Sequence, residues 1–387
     1  MKRKIKMWLV LFFSLIITSC TVNEDEYRAD NEEQVVTIRI IGSPMNTSTR
    51  AEEESVTGSA AFKSGYLFFV TGNNRALKQC YRITPEKGTA TSLKDFVINV
   101  KDFWNAANTE SGYSFTNVPG DVTSVYILGN VPENGSTSEE NIRKITTLNK
   151  LKEIVIPVTA QNDIATITMD GIGNVTNVLE TANLKKVANI ELTPFSSRVE
   201  IASITGGGDI TSFKISGIYI SHFYENVKLN QDAVNELFKY TSNNEEENYT
   251  EDKKYAMMAD IASPGTSLGG NKLKKQPENN KVWGYQFIPD KQGESIRIVI
   301  KLTDIQGSTS YQSPQYLNIR GFYSNSDDPT LPIKLKRGKI YNLGESITFD
   351  ESNLSPIPNP DDIDLTIKVS VKEWDVVHVN PIIKQWI

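Results

Sequence analysis

The stretch "QVVTIRIIGSPMNTSTRAEEES", Gln34 to Ser55, begins with apolar side chains on alternate positions and ends in a small polar loop around one arginine. In Gln34 to Ile41, Val36, Ile38 and Ile40 form one face, while Thr37 and Arg39 lie on the other. A period of two marks a strand with one buried face, so the segment is predicted as a β-strand. Burying its three apolar side chains stabilises by roughly 5 to 8 kcal/mol before any ladder bond is counted. Gly42 and Pro44 break the strand, and Ser43 to Ala51 reads as an extended loop open to proteases. An enzyme cutting after Arg50, before Ala51, would leave the strand held only by noncovalent contacts, because the effective concentration supplied by the chain is gone. Loss of the strand would then expose an apolar groove and open sheet edges.

On the N-terminal side, Lys2, Arg3, Lys4 and Lys6 precede the apolar run Met7 to Ile17, which is too short to span a bilayer and has the length of a signal-peptide core. Residues 1–19 are therefore expected to be removed. Ile17-Thr18-Ser19-Cys20 resembles a bacterial lipobox, which makes Cys20 the expected lipidation site, with acyl chains such as palmitate anchoring the precursor to a membrane. Residues 20–33 are polar and acidic and read as a tether. Removing the four cations of the leader takes the formal net charge from −6 to −10, which argues against a nucleic-acid partner.

Beyond the loop the chain reads as short strands. Tyr66 to Thr71, Phe96 to Val100, Val122 to Leu128, Glu153 to Val158 and Ile164 to Met169 are β-branched or aromatic and bounded by turn residues. One helix is predicted: Thr137 and Glu140 make a capping-box pattern, and Ile142, Ile145, Leu148 and Leu151 share a face. After "ELTPFSSRVEIASI" the strand texture resumes, placing a domain boundary near residue 193. Ser212 to Ser221, Val282 to Ile288, Ser295 to Leu302, Gln315 to Gly321 and Ile340 to Phe349 follow, interrupted by a short helical pattern at Ala233, Val234, Leu237 and Phe238 and by the long polar loop Asn243 to Gln276. Pro356, Pro358 and Pro360 form a stiff link. The end, "DLTIKVSVKEWDVVHVNPIIKQWI", is the cleanest strand: Leu365, Ile367, Val369 and Val371 alternate with polar residues, and Val376, Val377, Val379, Ile382 and Ile383 extend the apolar run.

Candidate chemistry is sparse. The only histidines are His222 and His378, each in a strand pattern, and no metal, nucleotide or hydrolase motif occurs. "TGGGDI", Thr205 to Ile210, lacks the spacing of a phosphate cradle and reads as a hairpin turn. Cys80 has no partner for a disulfide and reads as a small buried residue. Paired acids at Asp361-Asp362 and Glu245 to Glu247 read as solvated, and Trp104, Tyr113, Trp283 and Tyr285 read as core rather than sugar platforms. No catalytic residue, metal or cofactor is assigned, and the chain is not expected to be an enzyme.

These residues together resemble the Bacteroidales type V fimbrilins. The resemblance rests on the lipobox at Cys20, the first strand followed by "STRAEE", the mid-chain "LTPFSSRVEIASI", and "LKRGKIYNLGESITF" leading to "LTIKVSVKEWDVV", with Trp374 in its most specific block. It implies an all-β fold of two tandem antiparallel sandwiches of transthyretin-like topology with a few short helices. The divisions are a removable first strand and cleavage loop at 34–50, domains at 51–192 and 193–362, and a donor-strand segment at 363–387. It also implies a lipidated precursor at the outer membrane, cleavage by an arginine-specific protease after Arg50, and head-to-tail polymerisation with other subunits into an extracellular fimbria that adheres to a host or bacterial surface ligand. Arg28 is a competing cleavage site. A fimbrial tip adhesin and a glycan-binding surface lipoprotein that does not polymerise are the alternatives. Within the C-terminal segment, Val376 to Ile383 is favoured as the inserted part, with Leu365 to Val371 either beginning the extension or remaining a home strand.

Overall fold

A computed structural model describes residues 33–41, 59–85, 96–134, 137–164, 166–180, 183–277, 281–293, 296–323, 333–343 and 346–359, and the backbone of 365–368, 370–373 and 375–377. The chain is all-β. The first half contains the strands β1 (Glu33–Ile40), β2 (Ser59–Ala61), β3 (Gly65–Thr71), β4 (Leu77–Thr84), β5 (Val97–Asn99), β6 (Tyr113–Pro119), β7 (Val122–Gly129), β8 (Met169–Glu180) and β9 (Asn183–Ile190). They form one sheet in the order β5-β4-β3-β7-β8-β9-β1-β6, with Thr193–Pro194 added to the start of β8 and β2 outside it.

The sheet curls until Phe115 on β6 meets Phe69 on β3 and Tyr81 on β4, with ring centroids 5.3 Å and 4.8 Å apart. Val36, Ile38, Leu67, Phe69, Val125, Ile127, Ala188 and Ile190 thereby share one buried cluster. β3 is buried along its whole length, because its other face, with Tyr66, Phe68 and Val70, belongs to a second cluster. That second cluster runs on through Ile142, Leu148 and Leu151 into the C-terminal half without a break.

In the second half, β10 (Ser197–Ile201), β12 (Trp283–Phe287), β15 (Lys339–Asn342) and β17 (Ser370–Glu373) form a four-stranded sheet in the order β12-β10-β15-β17. A six-stranded sheet holds β11 (Ser212–Ser221), β13 (Arg297–Gln306), β14 (Gln315–Tyr323) and β16 (Leu365–Lys368), with short strands at Ala259–Ile261 and Leu354–Ser355. Most pairs are antiparallel; the parallel ones include β1 with β9, β4 with β5, β10 with β15 and β16 with β14.

Several local expectations are corrected. The predicted helix over Thr137 to Leu151 is two helices, α2 (Glu139–Arg143) and α3 (Leu148–Leu151), each with its own side-chain cap from Ser138 and Thr147. The break follows from pairing, since Leu77 N donates to Thr146 O at 2.8 Å and Ala76 bridges to Thr147. Ile142, Leu148 and Leu151 still face inward. The expected helix near Leu237 is a strand, Leu237–Phe238 against Phe223–Tyr224, where Phe238 packs among Phe223 and Tyr255. Gly207 and Gly208 do make a turn, but it is no hairpin, because the strands on either side, Ile204–Gly206 and β11, lie in different sheets. α1 (Val100–Ala107), capped by Asn99, follows β5 where the sequence reading extended a strand to Val100.

Candidate functional site

The N-terminal strand lies next to the end of its sheet, with a strand on each edge. β1 runs parallel to β9, from Val36 opposite Lys186 to Ile40 opposite Ile190, and antiparallel to β6, from Glu33 opposite Pro119 to Ile38 opposite Tyr113. Val36 and Ile38 are 0% exposed and Ile40 is 5% exposed. The opposite face carries polar groups: Thr37, itself buried, has Oγ1 2.9 Å from Ser114 Oγ, and Arg39 pairs with Glu180. Hydrogen bonds from Arg39 and Lys185 hold the Glu180 carboxyl below the usual carboxylate range. At the start of the strand, Gln34 Nε2 donates to Pro119 O at 2.7 Å and to Val122 O at 3.3 Å, and Lys186 Nζ donates to Gln34 Oε1. At its end, Ile41 N donates to Ile190 O at 3.0 Å.

One wall of this slot depends on the strand that fills it. Among the described residues, β6 has no strand partner other than β1. Its anchorage without β1 is by side chains: Phe115 and Val118 are buried, the Tyr113 ring packs tilted 5.4 Å from that of Phe103 in α1, and Gln79 Nε2 donates to Asn117 O at 3.0 Å. Gly112, just before β6, has φ +69 and approaches β1 so closely that a Cβ would stand 2.4 Å from Thr37 Cγ2 and 2.8 Å from Ile38 O. A left-handed conformation and this contact both call for glycine.

The C-terminal segment is paired on its own chain. β16 lies parallel to β14, β17 antiparallel to β15, and β18 (Asp375–Val377) parallel to β2, with Val376 opposite Ala60 and Val377 opposite Ala61. Leu365, Ile367 and Val371 thus lie in strands that close both sheets of the second half, and Val376 and Val377 reach across to the first half. β2 is a firm edge there, since Asn130 Nδ2 donates to Ala61 O at 2.5 Å and Lys63 N donates to Asn130 Oδ1 at 2.9 Å. Cys20, Arg28, Arg50, Ala51, Val369, Trp374, Val379, Ile382 and Ile383 lie outside the described residues, as does His378.

A polar latch that sequence reasoning missed joins the halves beyond the Ile40 end of the slot. Arg337 pairs with Asp170 at the start of β8, donates from Nη2 to Thr193 O at 2.6 Å, and stands over the Phe195 ring. Asp170 Oδ2 also accepts from the Tyr126 hydroxyl at 2.7 Å. The latch joins residues 167 positions apart, and no local pattern marks either.

The remaining polar candidates are structural. His222 is buried with φ +59, its N–H donates to Phe238 O at 2.7 Å, and its Nδ1 lies 2.9 Å from Ser221 Oγ. Burial, with Arg297, Lys239 and Arg320 nearby, pushes its pKa down to about 3. Burial pushes the Cys80 thiol up to about 12, so it stays protonated. Trp104 stacks on Phe62 at 5.4 Å, and Trp283 and Tyr285 are buried. No helix of the described residues is long and apolar enough to cross a membrane.

No family model and no curated protein matches the chain. Solved structures do. A "putative cell adhesion protein" from Bacteroides eggerthii superposes with a TM-score of 0.55 at 13% identity, over 90% of this chain and 98% of that one. A second, from Parabacteroides distasonis, gives 0.50 at 12% identity, over 89% and 99%. The tip fimbrial protein Mfa3 of Porphyromonas gingivalis, with C-terminal truncation, gives 0.44 at 8% identity, over 89% and 100%. The all-β fold expected from the resemblance is thus shared with the Bacteroides eggerthii and Parabacteroides distasonis proteins along nearly their whole length.

Proposed function

We propose that the chain is a structural subunit of a cell-surface fimbria: a lipoprotein precursor acylated at Cys20, cut after Arg50, and polymerised when its vacated slot accepts the C-terminal segment of another copy. The observation that carries this reading is the place of β1. A strand flanked on both edges, with three buried side chains, is joined to the rest of the chain only through a segment that contains Arg50. Its removal would open two unpaired edges and an apolar floor in one step.

Each part has a physical role. While β1 is covalently attached, its high effective concentration keeps the slot closed to competitors. Once cut, it is an ordinary peptide, and an incoming strand competes through main-chain bonds to β9 and β6, with alternate side chains setting register. Because the slot and the donated segment lie in different places on one chain, each junction leaves a free slot and a free tail, and a contact that does not close makes a filament. The likeness to two proteins described as concerned with cell adhesion supports a surface role. The precursor would sit at the outer membrane through its lipid, the assembled subunit would lie outside the cell and contribute to adhesion, and no catalytic role is assigned.

The test is digestion of purified precursor with an arginine-specific protease, read on a semi-denaturing gel. Ladders of stable multimers are expected from the wild-type chain and from Arg28→Ala, and none from Arg50→Ala. A cut chain that stays monomeric would overturn the reading.

A further inference from the structure

We propose that the donated strand seats in a single register and direction: Val376, Val377, His378 and Val379 of a second copy take the places of Val35, Val36, Thr37 and Ile38, running parallel to β9, with Pro381 at the place of Ile40. This rests on the strand-exchange reading above and specifies what that reading leaves open.

The direction follows from the two ends of the slot. At the Ile40 end, the chain leaves β9 through Glu191 and Leu192, adds Thr193–Pro194 to β8, and is fastened to the second half by Arg337. That end faces the subunit's own body. The Glu33 end lies beside the tip of the β8–β9 hairpin, where Leu179 and Leu184 oppose each other and are 71% and 69% exposed. A tail entering from another copy has its first residues nearest its own body, so they take the Glu33 end and the strand runs as β1 runs.

The register follows from the positions that β1 buries. Val36, Ile38 and Ile40 need apolar replacements, whereas Thr37, though buried as well, meets the Ser114 hydroxyl and Arg39 meets Glu180, so those two places accept polar side chains. Aligning "VVHVNPI", Val376 to Ile382, with "VVTIRII", Val35 to Ile41, puts valines at the first two buried sites. It also sets His378 against Ser114 and Asn380, an amide donor, against the Glu180 carboxylate. The remaining buried site receives Pro381.

A proline inside a central strand normally removes a ladder bond. Here the place of Ile40 is an exception. Ile41 N–H points to β9, where it meets Ile190 O, so by alternation the Ile40 N–H points to the β6 side. On that side the register with β6 has already ended, at Ile38 opposite Tyr113. Moving the tail two residues back towards the Glu33 end would place Pro381 at the Ile38 site, opposite Tyr113, and break a bond the ladder needs. Moving it two residues deeper would put Asp375 in the Val36 site, and one residue deeper would put His378 at the Ile38 site, in the apolar cluster and away from the Ser114 hydroxyl. Only the stated register avoids all three. Val376 and Val377 must first leave β2, where a run of three residues pairs them in the uncut chain.

Disulfide trapping in the full chain tests this. In a Cys80→Ser background, Ser114→Cys is combined with Val376→Cys, His378→Cys or Asn380→Cys, and each precursor is cut and oxidised. The His378→Cys pair is expected to give about tenfold more ladder that survives boiling without reductant than either neighbour, since only directly opposed residues meet disulfide geometry. Pro381→Ala should leave the multimer yield unchanged, and Val379→Pro should abolish it. If multimers form but the Val376→Cys or Asn380→Cys pair crosslinks best, the register is wrong while strand exchange stands. If no variant forms multimers after cutting, the exchange reading fails and the register falls with it.

Discussion

Replacing Ile38 by Ala in the cut but unassembled chain isolates what holds β1. Ile38 is fully buried, between a parallel and an antiparallel neighbour, in a cluster with Phe69, Val125 and Ile127. Truncation removes three carbons from a packed site whose walls belong to paired strands that collapse poorly, so a cost of about 3 kcal/mol is expected. At about 1.4 kcal/mol per decade, the N-terminal peptide should bind its slot on the order of a hundredfold more weakly. Val35→Ala is the internal control, because Val35 sits on the same strand but is 54% exposed. The assay follows a labelled peptide, Gln34 to Arg50, released from cut protein at increasing dilution. With the tail residues 376–387 deleted, no competing strand confounds the measurement. A change below threefold for Ile38→Ala, or an equal effect of Val35→Ala, would refute the claim that β1 is held by its buried face.

Three further outcomes are expected. Gly112→Ala should lower the urea midpoint of the uncut precursor by the equivalent of about 2 kcal/mol, from a positive φ and a Cβ driven against Thr37 and Ile38 O. The effect should shrink once β1 has been cut and removed. Arg337→Ala leaves the buried Asp170 carboxylate without its cation and should cost about 3 kcal/mol in thermal or urea unfolding, with faster proteolysis near Glu191. For His222, the folded pKa of about 3 lies below the ordinary 6.5, so the fold favours the neutral ring. That contribution is complete above pH 6.5 and is lost as pH falls towards 3, and His222→Gln should flatten the stability profile across that window.

How much was legible in the sequence depended on how local the deciding contacts are. β1 could be read because a period of two reports one buried face without reference to any partner, whereas the alternation over Leu365 to Val371 gave strand backbone correctly but not its division between two sheets. The faces of α2 and α3 were legible for the same reason, while the break between them was not, since it is made by Leu77, some seventy residues away. Periodicity misread Leu237 and Phe238, whose backbone pairs with Phe223 and Tyr224. Neighbour choice is the larger omission. Nothing in Gln34 to Ile41 says that β9 lies on one side and β6 on the other, or that β6 has no other strand among the described residues. The latch of Asp170 with Arg337, and the buried pair of Arg198 Nε and Glu200 Oε1 at 2.8 Å, were likewise invisible, because charged residues usually mark solvated positions.

The two-sided seat of β1 also sets how such a joint would bear load. A strand peeled from a single edge yields one bond at a time, so a small force suffices. A strand clasped along both edges and drawn along its own axis must slide past two neighbours together, and its bonds carry the tension in parallel. With Arg337 riveting the slot's far end to the second half, traction on a fibre would pass through each subunit by shear rather than by unzipping.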